Sequence, residues 1–226
     1  MKSIGNDIVA LKSINKKRTK QILFYSKILS VSEQALYYKQ GFEELSFEKF
    51  VWLLWSVKES VYKYLKRSVP DLVFSPTKII IQRIELPYRQ TITKFGSTQW
   101  ENKGNESCEN FYRGIITFGP YTFYFRSKIH AELISTVVND GENFENIWWG
   151  IKSIDDAAYN DQSKEVRAFI LNKLNSTLSG CNDNLSIEKC PLGYPVVLKE
   201  AKEMDIPVSL AHHDHFIAYS FLSKNP

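Results

Sequence analysis

Asp7, Glu59 and Lys63 are the residues whose types and spacing could do chemistry. A hard divalent cation such as Mg²⁺ is held by carboxylate oxygens and keeps open positions for water and phosphate. Asp7 lies in an apolar run and Glu59 in a long helical pattern. One carboxylate from a strand and one from a helix, distant in sequence, can build such a partial cage. Glu59 and Lys63 are four residues apart and share a helix face. That spacing would set an ammonium beside the cation, where a pyrophosphate would bind. The same pair is what an ordinary exposed helix carries, and such pairs are individually weak. Residue types alone leave both readings open.

The elements that must position these groups are legible in the hydrophobic pattern. Residues 3–11 read as a short strand, with Ile4, Ile8, Val9 and Leu11 as its apolar content. Residues 12–27 are rich in Lys and Arg and read as helical, with Ile14, Ile22 and Leu23 facing inward. Ser30 followed by Glu33 has the spacing of a capping box and marks a helix start. The longest helical pattern is 46–66, where Phe47, Phe50, Val51, Leu54, Val61 and Leu65 recur at helical spacing and Pro70 closes the segment. A strand follows at 78–86, then a polar loop or weak hairpin at 88–110. Residues 112–139 are strand-like, turning at Phe118-Gly119-Pro120-Tyr121. Asn139-Asp140-Gly141-Glu142-Asn143 is the best candidate for a domain boundary and would divide the chain into 1–140 and 141–226. The second part carries a strand at 147–154, a helix from Ser163 to about Leu178, and strands near 185–189, 207–211 and 216–222. Val166, Phe169, Ile170 and Leu174 share one face of that helix. This is an α+β pattern.

Composition narrows the class. With 226 residues and 43% hydrophobic content the chain can bury one good core or two small ones packed together. A net charge of +4 is too small to argue for nucleic acid, although it suits an anionic partner. Three cysteines, Cys108, Cys181 and Cys190, form no paired framework and read as free thiols of a reducing, cytoplasmic setting. Met1 to Asp7 lack a signal-peptide run, and no segment has the eighteen or so apolar residues of a membrane span. His212-His213-Asp214-His215 holds three of the four histidines, but neighbouring residues on a strand or turn cannot all face one ion. Trp52, Trp55, Trp148 and Trp149 read as packing residues.

The surroundings of the acidic pair add a resemblance. Ile4-Gly5-Asn6-Asp7-Ile8-Val9 resembles the Gly-x-Asp motif of the 4′-phosphopantetheinyl transferase superfamily. Trp55-Ser56-Val57-Lys58-Glu59-Ser60-Val61-Tyr62-Lys63 resembles its Trp-Ser-x-Lys-Glu-Ser/Ala-x-x-Lys motif at every defined position. Phe24 to Ser30 is similar to the segment between them. Gly193-Tyr194-Pro195 and Ser209-Leu210-Ala211-His212 are similar to the family's Gly-Lys-Pro and Ser-x-Ser-His elements, and Glu165-Val166-Arg167-Ala168 to a helix segment that supplies an Arg.

The resemblance implies transfer of 4′-phosphopantetheine from coenzyme A to a serine of an apo acyl or peptidyl carrier protein, with release of 3′,5′-ADP. It implies Mg²⁺, with Mn²⁺ as the alternative, held by Asp7 and Glu59. Glu59, Lys63 and Lys58 would be catalytic, and Lys63, Arg167, Tyr194, Ser209 and His212 would contact coenzyme A around its 3′-phosphate. Lys58 has a second reading, as an anchor of the helix. Lys16, Lys17, Arg18 and Lys20 would meet an acidic carrier helix. The implied fold is two pseudo-equivalent halves, each a helix with an antiparallel sheet, in the reverse order to the surfactin-synthetase-activating type. One chain would then build the whole site as a monomer. The sequence departs from the family at Val9, Tyr194 and Ala211, where an acidic residue, a basic residue and a Ser or Thr are usual. Those departures motivate the alternative, a non-catalytic homologue that binds a carrier protein or coenzyme A.

Overall fold

Helices plus antiparallel sheets make up the fold, an α+β architecture, in a computed structural model that describes residues 2–39, 42, 45–88, 99–104, 106–155, 158–178 and 184–223. The first sheet has five strands in the order β1 (Gly5–Ala10), β6 (Leu133–Asn139), β5 (Tyr121–Ile129), β4 (Tyr112–Phe118) and β2 (Ile80–Glu85). All its pairings are antiparallel. The β4–β5 hairpin turns where Gly119 and Pro120 predict it.

Every residue of β1 and β6 is buried. The helix α4 (Phe47–Lys66) packs on these two strands, and β11 (Val208–His213) and β12 (Phe216–Leu222) also pack on β1. A strand covered on both faces needs near-continuous apolar residues, which is why Ile4 to Leu11 carries so few polar groups. Ser46 caps α4 by accepting the Lys49 N–H. Phe50, Val51, Leu54, Val57, Val61 and Leu65 then face Ile81, Ile116, Phe123 and Val138 in the largest core.

A second sheet runs β11, β12, β7 (Ile147–Ser153) and β3 (Gln99–Lys103). α5 (Tyr159–Thr177) lays Val166, Phe169, Ile170 and Leu174 against it. A small third sheet holds β8 (Leu185–Lys189), β9 (Pro195–Lys199) and β10 (Lys202–Glu203). Among the described residues no helix is long and apolar enough to cross a membrane. Cys108 and Cys190 are free thiols, and Cys181 lies outside the described residues.

Three expectations are corrected. The basic segment 12–27 is not one helix: it forms α1 (Lys16–Thr19), capped by Asn15 through the Arg18 N–H, and α2 (Ile22–Tyr25). Ile22 and Leu23 face solvent, at 64% and 80% exposure. The segment is instead anchored by Thr19, which is fully buried with its hydroxyl accepting the Trp52 indole N–H, and by Ile28 and Leu29. Second, part of the polar stretch 88–110 is a strand, β3, held by pairing with β7 and by Trp100 packing on Trp149. Its remainder, 89–98, lies outside the described residues. Third, α5 begins at Tyr159, ahead of Ser163.

The capping box forms as its spacing requires. Ser30 Oγ accepts the Glu33 N–H at 3.3 Å and Glu33 Oε2 accepts the Ser30 N–H at 2.7 Å, starting α3 (Val31–Lys39). Glu33 is fully buried and does more than cap. The same Oε2 accepts from Lys58 Nζ at 2.6 Å, and Oε1 accepts the Ile81 N–H at 2.9 Å. One carboxylate therefore joins α3, α4 and β2.

Candidate active site

β1 delivers Asp7 and α4 delivers Glu59 and Lys63, and the close approach of these two elements depends on Gly5. A Cβ at residue 5 would lie 1.9 Å from the Ser60 carbonyl oxygen and 3.0 Å from the Tyr64 backbone nitrogen. Both atoms belong to the backbone of α4, so nothing soft can yield. Only a residue without a side chain lets the helix sit this close to the strand. Gly5→Ala is therefore expected to push α4 off β1. Because a displacement of about 1 Å at a reacting centre can cost 10²-fold, turnover should fall by about that factor although no reactive group is touched. Initial rates on the folded variant, checked by circular dichroism, test this; unaltered turnover would contradict it.

Asp7 is 7% exposed, and its Oδ1 accepts from Lys63 Nζ at 3.1 Å. Its Oδ2 is buried with no hydrogen-bond partner, as is Asn6 Oδ1. A buried, unsatisfied carboxylate oxygen is costly in a folded protein unless something binds it. Glu59 is half-buried beside this pair, and burial raises its carboxyl above the usual range; Lys63 opposes that shift and Asp7 adds to it. Two carboxylates that sense each other's charge, one with an orphaned oxygen, fit a divalent cation with room left for water and phosphate. No cluster of three or more His, Cys, Asp or Glu suited to a metal occurs among the described residues.

His212 lies close enough to feel Asp7, Lys63 and Arg167. Burial, then Lys63, His213 and Arg167, push its imidazole below the ordinary histidine value, with Asp7 opposing. The rest of the histidine run disperses. His213 Nδ1 accepts the Ala10 N–H at 3.4 Å, Asp214 accepts from Ser13, and His215 Nδ1 lies 3.3 Å from the Ile154 carbonyl. Arg167 donates to the Ser163 carbonyl and hydroxyl one turn back on α5.

Between α4 and the second part of the chain is a cavity of about 220 Å³, lined by Lys63, Lys66, Arg67, Tyr194 and Ser209 among others. Ser209 Oγ accepts the Asn6 N–H at 3.1 Å, tying β11 to the strand that carries Asp7. Tyr194 is presented by the β8–β9 turn, in which Gly193 adopts φ 91°, a conformation that favours glycine, and Gly193 N–H bonds the Cys190 carbonyl. A larger cavity, about 380 Å³, lies over β4 and β5 by Arg83, Arg113 and Arg126; none of the residues expected in the site lines it.

The structure thus brings Asp7, Glu59, Lys63 and His212 together, with Arg167 close to His212 and with Tyr194 and Ser209 on the adjoining cavity. Lys58 is placed elsewhere. Its side chain is fully buried and its ammonium donates to Glu33 and to the Ile28 carbonyl at 2.7 Å. Burial lowers its pKa, with Glu33 opposing. Lys16, Lys17, Arg18 and Lys20 are exposed on and beside α1, where Lys20 pairs with Glu48 at 3.2 Å. Sequence reasoning missed Arg67, although it stands one further turn along the face of Glu59 and Lys63.

Neither the curated proteins nor the solved structures give a match to this chain. The family model described as the 4′-phosphopantetheinyl transferase superfamily matches residues 3–114, a span that holds Asp7, Gly5, Glu59 and Lys63. That match covers about half of the chain, 112 of its 226 residues, and these groups assemble on β1 and α4 within it: the chain belongs to the 4′-phosphopantetheinyl transferase superfamily.

Proposed function

We propose that this chain transfers 4′-phosphopantetheine from coenzyme A to a serine hydroxyl of an apo acyl or peptidyl carrier protein, with Mg²⁺ or Mn²⁺ held by Asp7 and Glu59. The observation that carries the reading is the orphaned Asp7 oxygen beside Glu59 and Lys63, at one end of a cation-lined cavity, in a member of this superfamily. A bound divalent cation supplies positive charge to the pyrophosphate of coenzyme A. Lys63 leaves Asp7 to lie against the same pyrophosphate and offsets charge that builds as the phosphorus–oxygen bond to the departing 3′,5′-ADP breaks. His212, whose imidazole is held below the ordinary histidine value by burial and then by the cations around it, offers an N–H to a phosphate oxygen; Arg167 adds charge from the same side. Tyr194 and Ser209 border the adenosine end. Glu59, with its raised proton affinity, is suited to take the proton of the attacking serine. Lys58 holds α4, and Glu59 with it, through Glu33. Lys16, Lys17, Arg18 and Lys20, beside exposed Ile22 and Leu23, form the surface that meets the acidic helix of the carrier.

In domain terms, 1–140 supplies the cation site and 141–226 the wall of the coenzyme A pocket, two pseudo-equivalent halves within one monomeric chain. The alternative, a non-catalytic homologue, is motivated by the departures at Val9, Tyr194 and Ala211; the presence of Asp7, Glu59 and Lys63 together argues for transfer. Release of 3′,5′-ADP that requires both Mg²⁺ and an apo carrier supports transfer. Coenzyme A binding without ADP release across fatty-acid, polyketide and peptide carriers would favour the binding-only homologue.

A pH dependence follows from Glu59. The carboxylate must be ionised to bind a cation or accept a proton, and its pKa in the free protein is raised by burial. Below that pKa it is protonated and cannot hold the cation, so at sub-saturating Mg²⁺ kcat/KM should rise with pH along a limb displaced upward from the ordinary carboxylate range. A pH profile of kcat/KM checks this; a limb at the ordinary glutamate value would contradict it.

A further inference from the structure

Arg67 has no place in the account above, yet its guanidinium is poised for an anion. Its side chain is 7% exposed. One Nη reaches Glu203 Oε1 at 3.2 Å, and its face lies over the Tyr194 ring at 5.1 Å. Its Nε is buried with no hydrogen-bond partner. A permanent cation with an unsatisfied buried donor is an unusual structural element, because desolvation of that group is uncompensated. The cavity it borders is lined by two more cations, Lys63 and Lys66, and by no carboxylate among the described residues. Glu203 meets Arg67 from outside that lining, and its own side chain is 53% exposed.

Helix geometry orders these charges. Glu59, Lys63 and Arg67 recur every four residues on one face of α4 and its C-cap, about 6 Å apart along the axis at each step. A ligand whose pyrophosphate lies at Lys63 and Glu59 would carry any second phosphate, one sugar away, toward Arg67. Arg suits that role, because its fork of fixed donors matches a phosphate and it keeps its charge when buried.

We infer that Arg67, assisted by Lys66, is a specificity residue that reads the 3′-phosphate of coenzyme A, with Tyr194 orienting the guanidinium by stacking. The inference rests on the coenzyme A reading of the site. The competing role for Arg67 is a purely structural latch between α4 and β10 through Glu203.

Calorimetric titration of the folded, full-length protein with coenzyme A, 3′-dephospho-coenzyme A and 3′,5′-ADP separates these. Wild type should prefer coenzyme A to the 3′-dephospho form by about 10- to 100-fold, the range of one charge-assisted phosphate contact. Arg67→Gln should remove most of that preference by weakening coenzyme A alone, and Arg67→Lys should restore part of it. Glu203→Gln, which breaks the latch but keeps the guanidinium, should bind coenzyme A at least as tightly as wild type. Equal weakening of both forms by Arg67→Gln, or a loss of coenzyme A affinity in Glu203→Gln matching that of Arg67→Gln, would overturn the inference while leaving the coenzyme A reading intact. A folded wild-type protein that binds none of the three ligands would overturn the coenzyme A reading itself.

Discussion

Glu59→Ala should lower transfer by at least about 10³-fold while the protein keeps its fold. Loss of one preorganised electrostatic contact at a reacting centre costs about 10²- to 10³-fold, and Glu59 is asked to do two things, ligate the cation and accept the serine proton. The fold should survive because Glu59 is only half-buried, and burial already disfavours its charged form. Removing a group that burial penalises does not orphan a partner in the core. Glu59→Gln, which keeps the shape, should lose activity to a similar extent, which separates loss of charge from loss of packing. Single-turnover rates with circular dichroism on both variants test the assignment. Activity within about tenfold of wild type in either variant would remove Glu59 from the chemistry.

Lys58→Met should behave in the opposite way, as a stability variant. Lys58 and Glu33 are fully buried and 2.6 Å apart, and Glu33 also holds the Ser30 and Ile81 N–H groups. Breaking a buried ion pair by removing one partner typically costs about 3–5 kcal/mol, because it leaves an uncompensated charge in the interior. Glu33→Gln alone should cost a comparable amount, since it leaves the ammonium of Lys58 facing a weaker, neutral acceptor. The double variant Glu33→Gln, Lys58→Met should lose much less than the sum of the two, because neither charge then remains. Urea unfolding of the four proteins gives this coupling directly. Additive losses would show that the two side chains do not depend on each other.

The two predictions divide neighbours in sequence. Lys58 and Glu59 are adjacent, so their side chains leave α4 about 100° apart; one enters the core while the other reaches the cleft. The motif resemblance names both residues without saying which of them faces the substrate. What decides it is Glu33, a partner twenty-five residues earlier, and no local pattern ties the two together. The capping box at Ser30 and Glu33 was visible in the spacing, but the second and third partners of Glu33 come from α4 and β2.

Strong periodicity was a good guide elsewhere. The apolar stripe of α4 and that of α5 are where the sequence places them, and β1 is the strand that its apolar run indicates. β3 was not legible, because Gln99-Trp100-Glu101-Asn102-Lys103 has one large apolar residue and becomes a strand only by pairing with β7. The basic segment 12–27 misled for a related reason: its apolar residues Ile22 and Leu23 have no core to face, and Thr19 takes the buried position beside Trp52. For the site, Asp7, Glu59 and Lys63 were readable from residue type and motif. The reason for Gly5 was not, since it lies in the backbone of a helix fifty-five residues away. Arg67 was not readable either, since its meaning depends on Tyr194 and a cavity formed by the second part of the chain.

The most direct test of the central claim is the intact mass of an apo acyl carrier protein after incubation with this protein, coenzyme A and Mg²⁺. Transfer predicts a gain of about 340 Da on the carrier, the mass of the added phosphopantetheine. That gain should vanish when Mg²⁺ is omitted and when Glu59→Ala replaces wild type. No gain on fatty-acid, polyketide or peptide carriers, with the protein folded and coenzyme A bound, would contradict transfer and leave binding as the function of the site.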